Sequence, residues 1–293
     1  MRLAAAGALF LLAVLVAGQT GAPQGPAAPP LDYVCPMDPG VRSAGPGKCP
    51  RCGMTLVLRI PDAVEYPLDL ALKPRAPKPH EPLELTFRVK DPAGAPVRKF
   101  ETVHQKLFHL FIVSQDLEFF VHGHPELTGD GSFRYRASLP APGMYRLLGD
   151  YYPAGGTPQL TVKSIFVPGG RWQTAHLTPD LATRHAGNTD VELTIEPPAP
   201  WAGVKTTLSF RLNPADGLEP YLGAWAHMLA ASDDLIDMIH THPFQPGAGA
   251  GPEPVVQFNV IFPRARTYRL WVQFQRKGMV NTAVFTLLVA ELQ

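Results

Sequence analysis

The stretch LDLALKPRAPKPHEPLELTFRVKDPAG, residues 68–94, returns as VELTIEPPAPWAGVKTTLSFRLNPADG at residues 191–217. Pro74, Phe87, Arg88 and Gly94 recur as Pro197, Phe210, Arg211 and Gly217, each 123 residues on. In both copies, runs such as LELTFRV and TTLSFRL alternate apolar and polar residues, the period of a half-buried strand, and Pro/Gly turn signals separate them. No long helical stripe interrupts the pattern. The sequence therefore predicts a mainly β chain with two duplicated immunoglobulin-like β-sandwich domains, repeat 1 over 62–168 and repeat 2 over 189–293, bridged by a linker at 169–188. A small barrel would give similar strings.

Further along each copy the register changes. His109, Ser114, Asp116, Leu117, His122, His124 and Pro125 recur as His227, Ser232, Asp234, Leu235, His240, His242 and Pro243, now 118 residues on. The loop FQPGAGAGPEP at 244–254 restores the first offset, so that Tyr145, Arg146 and Leu147 face Tyr268, Arg269 and Leu270. Both shifts fall in Pro/Gly-rich stretches, where insertions are tolerated on loops.

The repeated phrases VHGHPEL (121–127) and IHTHPF (239–244) each hold a His-x-His pair. Alternation along a strand turns residues i and i+2 to one face, so each pair can aim two imidazoles the same way. The intervening turns, SQDLEFF and SDDLIDM, can fold the chain back and bring His109 or His227 to its pair. Two triads are thus candidate metal ligands: His109, His122 and His124 in repeat 1, and His227, His240 and His242 in repeat 2. Three neutral imidazoles suit Cu(II), Zn(II) or Ni(II), and Met228 or Met238 would soften the second site. Duplication copies packing residues as faithfully as ligands, but here the neighbours diverged (LFIVSQ against MLAASD) while all three histidines persisted. His104 has Leu222 as its counterpart, and His80, His176 and His185 lie outside the repeated core, so the sequence leaves these four outside the site.

Composition narrows the partners. Only 17% of the 293 residues are charged and the formal net charge is +1, which gives no basic footprint for nucleic acid. The first residues, MRLAAAGALFLLAVLVAGQTGA, have one arginine, a short apolar run and small residues, the pattern of a signal peptide over 1–20. The run is short for a membrane span of about 20 residues, so the mature chain is expected to have no transmembrane span, to begin with a flexible tether at 21–30, and to be periplasmic or secreted.

All three cysteines fall between residues 31 and 60, in YVCPMDPGVRSAGPGKCPRCGMTLV. An odd number cannot close into internal disulfides, and a Cys-x-x-Cys turn with Gly53 beside it presents two thiolates to one ion. A segment this short and this rich in Pro and Gly cannot bury a core of its own, so a metal would organise it. The segment resembles the bacterial heavy-metal-binding domain, with the pattern Tyr-x-Cys-Pro-Met-His-Pro followed by Gly-Lys-Cys-Pro-x-Cys-Gly-Met. Tyr33, Cys35, Pro36, Met37, Pro39, Gly47, Lys48, Cys49, Pro50, Cys52, Gly53 and Met54 match, while Asp38 stands where the family has histidine. The resemblance implies a role in copper or silver handling beside efflux pumps. Cys35, Cys49 and Cys52 with Met37 and Met54 form a soft set for Cu(I), whereas three thiolates with Asp38 would make a tetrahedral zinc site. The histidine block HLFIVSQDLEFFVHGHP also resembles secreted β-sandwich domains of the YtkA or FixH type, which recur in copper handling.

The leading expectation is an exported heavy-metal binding protein, not an enzyme, that takes copper for capture, resistance or delivery, with a metal efflux or delivery protein as partner. A structural or interaction protein with a zinc knuckle is the alternative, and a histidine-site metalloenzyme a further one. Blue-copper electron transfer needs a cysteine inside a sandwich, and neither repeat has one. For a paired general base, Glu118 and Glu126 have no counterparts, since Ile236 and Phe244 replace them.

Overall fold

The computed structural model describes residues 32–34, 42–50, 53–59, 64–170, 175–243 and 255–292. These residues contain strands and no helix, in two compact units, residues 1–63 and 64–293. The predicted signal peptide and tether lie outside the described residues. In the first unit β1 (Asp32–Val34) is the middle of a small antiparallel sheet, between β2 (Arg42–Ser43) and β3 (Val57–Arg59).

The second unit holds both repeats. Repeat 1 runs β4 (Leu68–Lys73), β5 (Pro82–Val89), β6 (Phe108–Ser114), β7 (Phe120–Gly123), β8 (Glu126–Leu127), β9 (Phe133–Ser138), β10 (Gly143–Tyr151) and β11 (Gln159–Val167). Repeat 2 runs β12 (Arg184–Ala186), β13 (Thr189–Glu196), β14 (Lys205–Asn213), β15 (Leu218–Glu219), β16 (His227–Ser232), β17 (Met238–Thr241), β18 (Val255–Ile261), β19 (Thr267–Arg276) and β20 (Met279–Leu288). Each repeat makes two antiparallel sheets. Order β4-β5-β9-β8 and order β11-β10-β6-β7 in repeat 1 answer to β12-β13-β14-β18 and β20-β19-β16-β17 in repeat 2. The stretch 169–188, expected to be a plain linker, contributes β12 to the second sandwich through pairing with β13.

The duplicated body is therefore two β-sandwiches, each closed over its own core. Phe87, Phe108, Leu110, Phe133 and Tyr151 fill the first; Phe210, Met228, Phe258, Val272 and Phe285 fill the second. The repeated Tyr-Arg-Leu explains itself here. The Tyr145 hydroxyl donates to the Ala141 carbonyl at 2.8 Å, and the Tyr268 hydroxyl donates to Asp237 at 2.7 Å and to the Arg264 carbonyl at 3.1 Å. A tyrosine tied to the backbone four residues upstream pins the corner of an immunoglobulin-like sandwich.

Strands β6 and β16 are buried along their whole length, on both faces. In β6 the side chains of Phe108, Leu110 and Ile112 enter the core of repeat 1, while Phe111 and Val113 turn the other way. In β16 Met228 and Ala230 enter the core of repeat 2, and Leu229 and Ala231 turn outward. These outward residues form a third apolar cluster with Leu117, Leu148, Leu235, Met238 and Trp271, so the two sandwiches pack sheet against sheet. Phe120 stacks on Trp271, with centroids 4.9 Å apart and planes 7° from parallel. Each fully buried side chain of this size stabilises the packing by about 1.5–3 kcal/mol. Two equivalent arginines reach across in opposite senses: Arg146 donates to the Leu235 carbonyl at 3.3 Å, and Arg269 to Glu118 at 2.7 Å.

Candidate metal centre

His109 and His227 begin the outward faces of β6 and β16, and alternation carries them to the same inter-repeat surface as Phe111 and Leu229. In the register of each sheet His122 lies opposite Phe111 and His240 opposite Leu229, so β7 and β17 add one imidazole each to that surface. His124 and His242 follow two residues later. The two triads expected from the sequence therefore meet in one nest between the repeats. His109 and His227 rings lie 5.8 Å apart, His122 and His227 5.5 Å, and His109 and His240 5.6 Å.

A tight turn ahead of each histidine strand fixes its ring. Val103 and Lys106 exchange backbone hydrogen bonds around His104 and Gln105, which have φ of 47° and 63°. Tyr221 and Ala224 do the same around Leu222 and Gly223, at 51° and 76°. Two successive positive φ values give the primed turn that matches strand twist. The first carbonyl of each turn then receives a ring N–H: His109 Nε2 donates to Val103 at 3.0 Å and His227 Nε2 to Tyr221 at 2.9 Å. The other inner pair is anchored across the interface. His122 Nδ1 donates to Gln273 Oε1 at 2.8 Å, with that amide oriented by its own bond to Thr282, and His240 Nδ1 donates to Asp150 Oδ2 at 2.7 Å.

Since carbonyl and carboxylate oxygens only accept, each of these four rings carries its proton on the outer nitrogen and turns a lone pair inward. Metal-ligating histidines are held in this way, the far nitrogen bound to a carboxylate or carbonyl. Sets of three ligand nitrogens within 4.8 Å of one another occur twice among the described residues: His109, His122 and His227, and His227, His240 and His242. The second set is the trio expected for repeat 2. In the first, His227 of the other repeat stands where His124 was expected, and His124 sits 5.0 Å from His109 and 4.7 Å from His122, ring to ring.

The chemistry of these nitrogens fits a cation. His124 Nε2, His227 Nδ1, His240 Nε2 and His242 Nε2 are buried with no hydrogen-bond partner among the described residues. His109 Nδ1 and His122 Nε2 face each other at 3.1 Å. With both outer nitrogens protonated, two lone pairs meet there, an arrangement that a metal ion between them would satisfy. Zinc–nitrogen bonds of about 2.0–2.1 Å put neighbouring ligands roughly 3.3 Å apart in a tetrahedral site. Burial also disfavours the charged form of His109, His122, His124, His227 and His242. It pushes His109 down to about 4 against the supporting Val103 hydrogen bond, and, with neighbouring histidines adding to it, lowers His124 to about 3 and His227 to about 2. His122 and His242 are driven down by the same causes, and His104 by burial first.

Sequence reasoning missed His104. Its ring stacks on His242 at 3.7 Å and lies 5.5 Å from His227, which puts it against the nest. Only recurring histidines entered the site, and Leu222 fills the equivalent position; the turn His104-Gln105, next to the carbonyl that holds His109, was the available signal. Both methionines proposed to soften the second site belong elsewhere. Met228 points into the core of repeat 2, away from His227, and Met238 packs in the apolar interface. Gly123, between the two histidines of repeat 1, faces inward, where a Cβ would come within 2.5 Å of the Tyr135 ring. Beyond it, His124 also lines an open cleft of about 530 Å³ with Glu84, Glu126 and Tyr135. Ser114 and Ser232 bond Asp116 and Asp234 within their turns, as turn residues do.

At the amino end, Cys49 N–H donates to the Met54 carbonyl at 2.8 Å and Gly53 N–H to the Cys49 carbonyl at 2.9 Å, with Gly53 at φ 75°. Cys49 is buried against Leu56 and Tyr33, and Met54 is exposed. Cys35, Met37, Asp38 and Cys52 lie outside the described residues.

Residues 33–57 match the heavy metal binding domain, so metal binding is a property of this amino-terminal module. Residues 63–164 and 184–291 match a second family, described as a domain of unknown function, DUF8832. The chain belongs to the DUF8832 family. The two matched stretches of this DUF8832 protein coincide with its two sandwiches. No curated protein sequence matches the chain. Among solved structures it is similar to the Escherichia coli adhesin FdeC, at 15% identity and TM-score 0.27 over 83% of this chain and 71% of that one. A two-domain fibronectin type III segment of chicken tenascin matches at 12% and 0.24, over 77% and 99%. The fibronectin(III)-like modules of Clostridium thermocellum CbhA match at 11% and 0.21, over 76% and 95%.

Proposed function

We propose that this DUF8832 protein is an exported metal-binding protein that captures copper for resistance or delivery. The observation that carries the reading is the pairing, on one chain, of a heavy metal binding domain with a buried nest of inward-facing imidazole lone pairs. Soft Cu(I) suits the thiolates of Cys35, Cys49 and Cys52, with Met37 and Met54 beside them, whereas neutral imidazoles suit a borderline ion. The leader-like first twenty residues support a periplasmic or secreted site of action, where a metal efflux or delivery protein would be the receiving partner.

The reading is of binding rather than turnover. Neither Glu118 nor Glu126 recurs in repeat 2, and Glu118 pairs with Arg269. Deletion of the gene is expected to sensitise the cell to copper, with rescue by the intact gene and none by one encoding serine at the three cysteines. Unchanged copper tolerance after deletion contradicts the proposal.

A further inference from the structure

We infer that the imidazole nest is one metal centre built jointly by the two repeats, holding a single borderline cation such as Zn(II) that His227 shares with only one of two flanking pairs at a time: His240 with His242, or His109 with His122. This deepens the metal-binding reading and concerns nitrogens alone, so it stands or falls apart from the thiolates.

His227 is fully enclosed, and its Nε2 is committed to the Tyr221 carbonyl, which leaves Nδ1 as its sole donor atom. His227 belongs to both close trios, and with Nε2 engaged it can serve either only through Nδ1. One lone pair forms one bond to one ion, so the two trios cannot both be filled. Two triads side by side, one ion per repeat, would require His124 to replace His227 in the first, and His124 belongs to neither close trio.

The two positions are unequal. All three nitrogens of the His227, His240 and His242 trio are buried without a partner among the described residues, whereas His109 Nδ1 and His122 Nε2 already face each other at 3.1 Å. His240 is backed by the carboxylate of Asp150, and His122 by the amide of Gln273. A carboxylate behind an imidazole makes it the stronger donor and offsets part of the cation's charge in a poorly solvated site. His104, stacked on His242, holds that ring in place. The ion therefore rests on His227, His240 and His242, and the His109 and His122 side is the alternative seat, reached by exchange about His227.

The test uses the full chain with Cys35, Cys49 and Cys52 replaced by serine, loaded with Zn(II) alone and weighed by native mass spectrometry. One ion per chain is expected. His109→Gln and His242→Gln should each still hold one ion, the second at least tenfold more weakly, because one trio survives in each. The double variant should hold none. His227→Gln should also hold none, and a thermal melt of each unloaded variant shows whether it is folded; if His227→Gln is not, the single and double variants decide. Two ions in the cysteine-free chain, falling to one in either single variant, would establish separate triads and overturn the inference. So would no ion at all, or full binding by a folded His227→Gln chain. None of these results bears on whether the native chain takes Cu(I) through its thiols.

Discussion

Asp150 and Gln273 occupy the same position in the two repeats, and each receives the Nδ1–H of a histidine from the other repeat, at 2.7 and 2.8 Å. They lie opposite His109 and His227 in the strand register, so the duplicated sheet itself brings them to the nest. The geometry was kept through duplication while the charge was not.

That difference predicts the effect of making the halves alike. Asp150→Gln keeps a hydrogen-bond acceptor behind His240 and removes the carboxylate bonded to it. Zn(II) affinity of the cysteine-free chain should fall about 10- to 100-fold, the usual cost of losing an outer partner of a ligating histidine, with one ion still bound at saturation. Isothermal titration measures this. Unchanged affinity would show that Asp150 plays no part in holding the ion.

Acid should unfold the metal-free chain early. Histidines depressed in the folded state, His109 to about 4 from an ordinary 6.5, bind fewer protons there than in the unfolded chain. Stability is therefore lost as pH falls from about 6.5 toward 4, by about 1.4 kcal/mol per pH unit for each such histidine. Urea midpoints at pH 7 and pH 5 should differ clearly, and His109→Gln should lessen the difference. A flat profile across this window contradicts the buried, neutral nest.

Much of this was legible in the sequence. The offsets of 123 and 118 between recurring residues separated two sandwiches and singled out six histidines. That the six meet in one nest between the repeats was not read, because periodicity within a strand assigns a face without saying what covers it. The signal lay in HLFIVS and HMLAAS, which are apolar at both odd and even positions and so had to be covered on both faces. His104 escaped because repetition was the filter and its partner position is leucine. The thiolate geometry was open from the start, since two of the three cysteines lie outside the described residues.

The glycine of His-Gly-His is a packing requirement of repeat 1. Gly123→Ala places a Cβ within 2.5 Å of the Tyr135 ring, and overpacking of this kind costs about 1–3 kcal/mol. The melting temperature should drop and Zn(II) binding weaken as β7 shifts with His122 and His124. Adding Tyr135→Ala should relieve the binding defect. An alanine variant that binds and melts like the parent would show that β7 yields freely.

The apolar interface should support the metal centre from a distance. Trp271→Ala removes a fully buried ring stacked on Phe120, at a cost of about 3–5 kcal/mol. Since ligands come from both repeats, the loosened interface should weaken Zn(II) binding without touching any ligand. Calorimetry and metal titration on the same sample check both effects, and full affinity in a destabilised chain would contradict the joint construction of the site.

The central claim is capture of a soft metal, and anaerobic Cu(I) loading followed by native mass spectrometry tests it most directly. The intact chain should retain Cu(I) against a competing chelator, and replacement of Cys35, Cys49 and Cys52 by serine should abolish that retention. A single zinc ion held by the intact chain that copper fails to displace would contradict the account and make the cysteine module a structural knuckle.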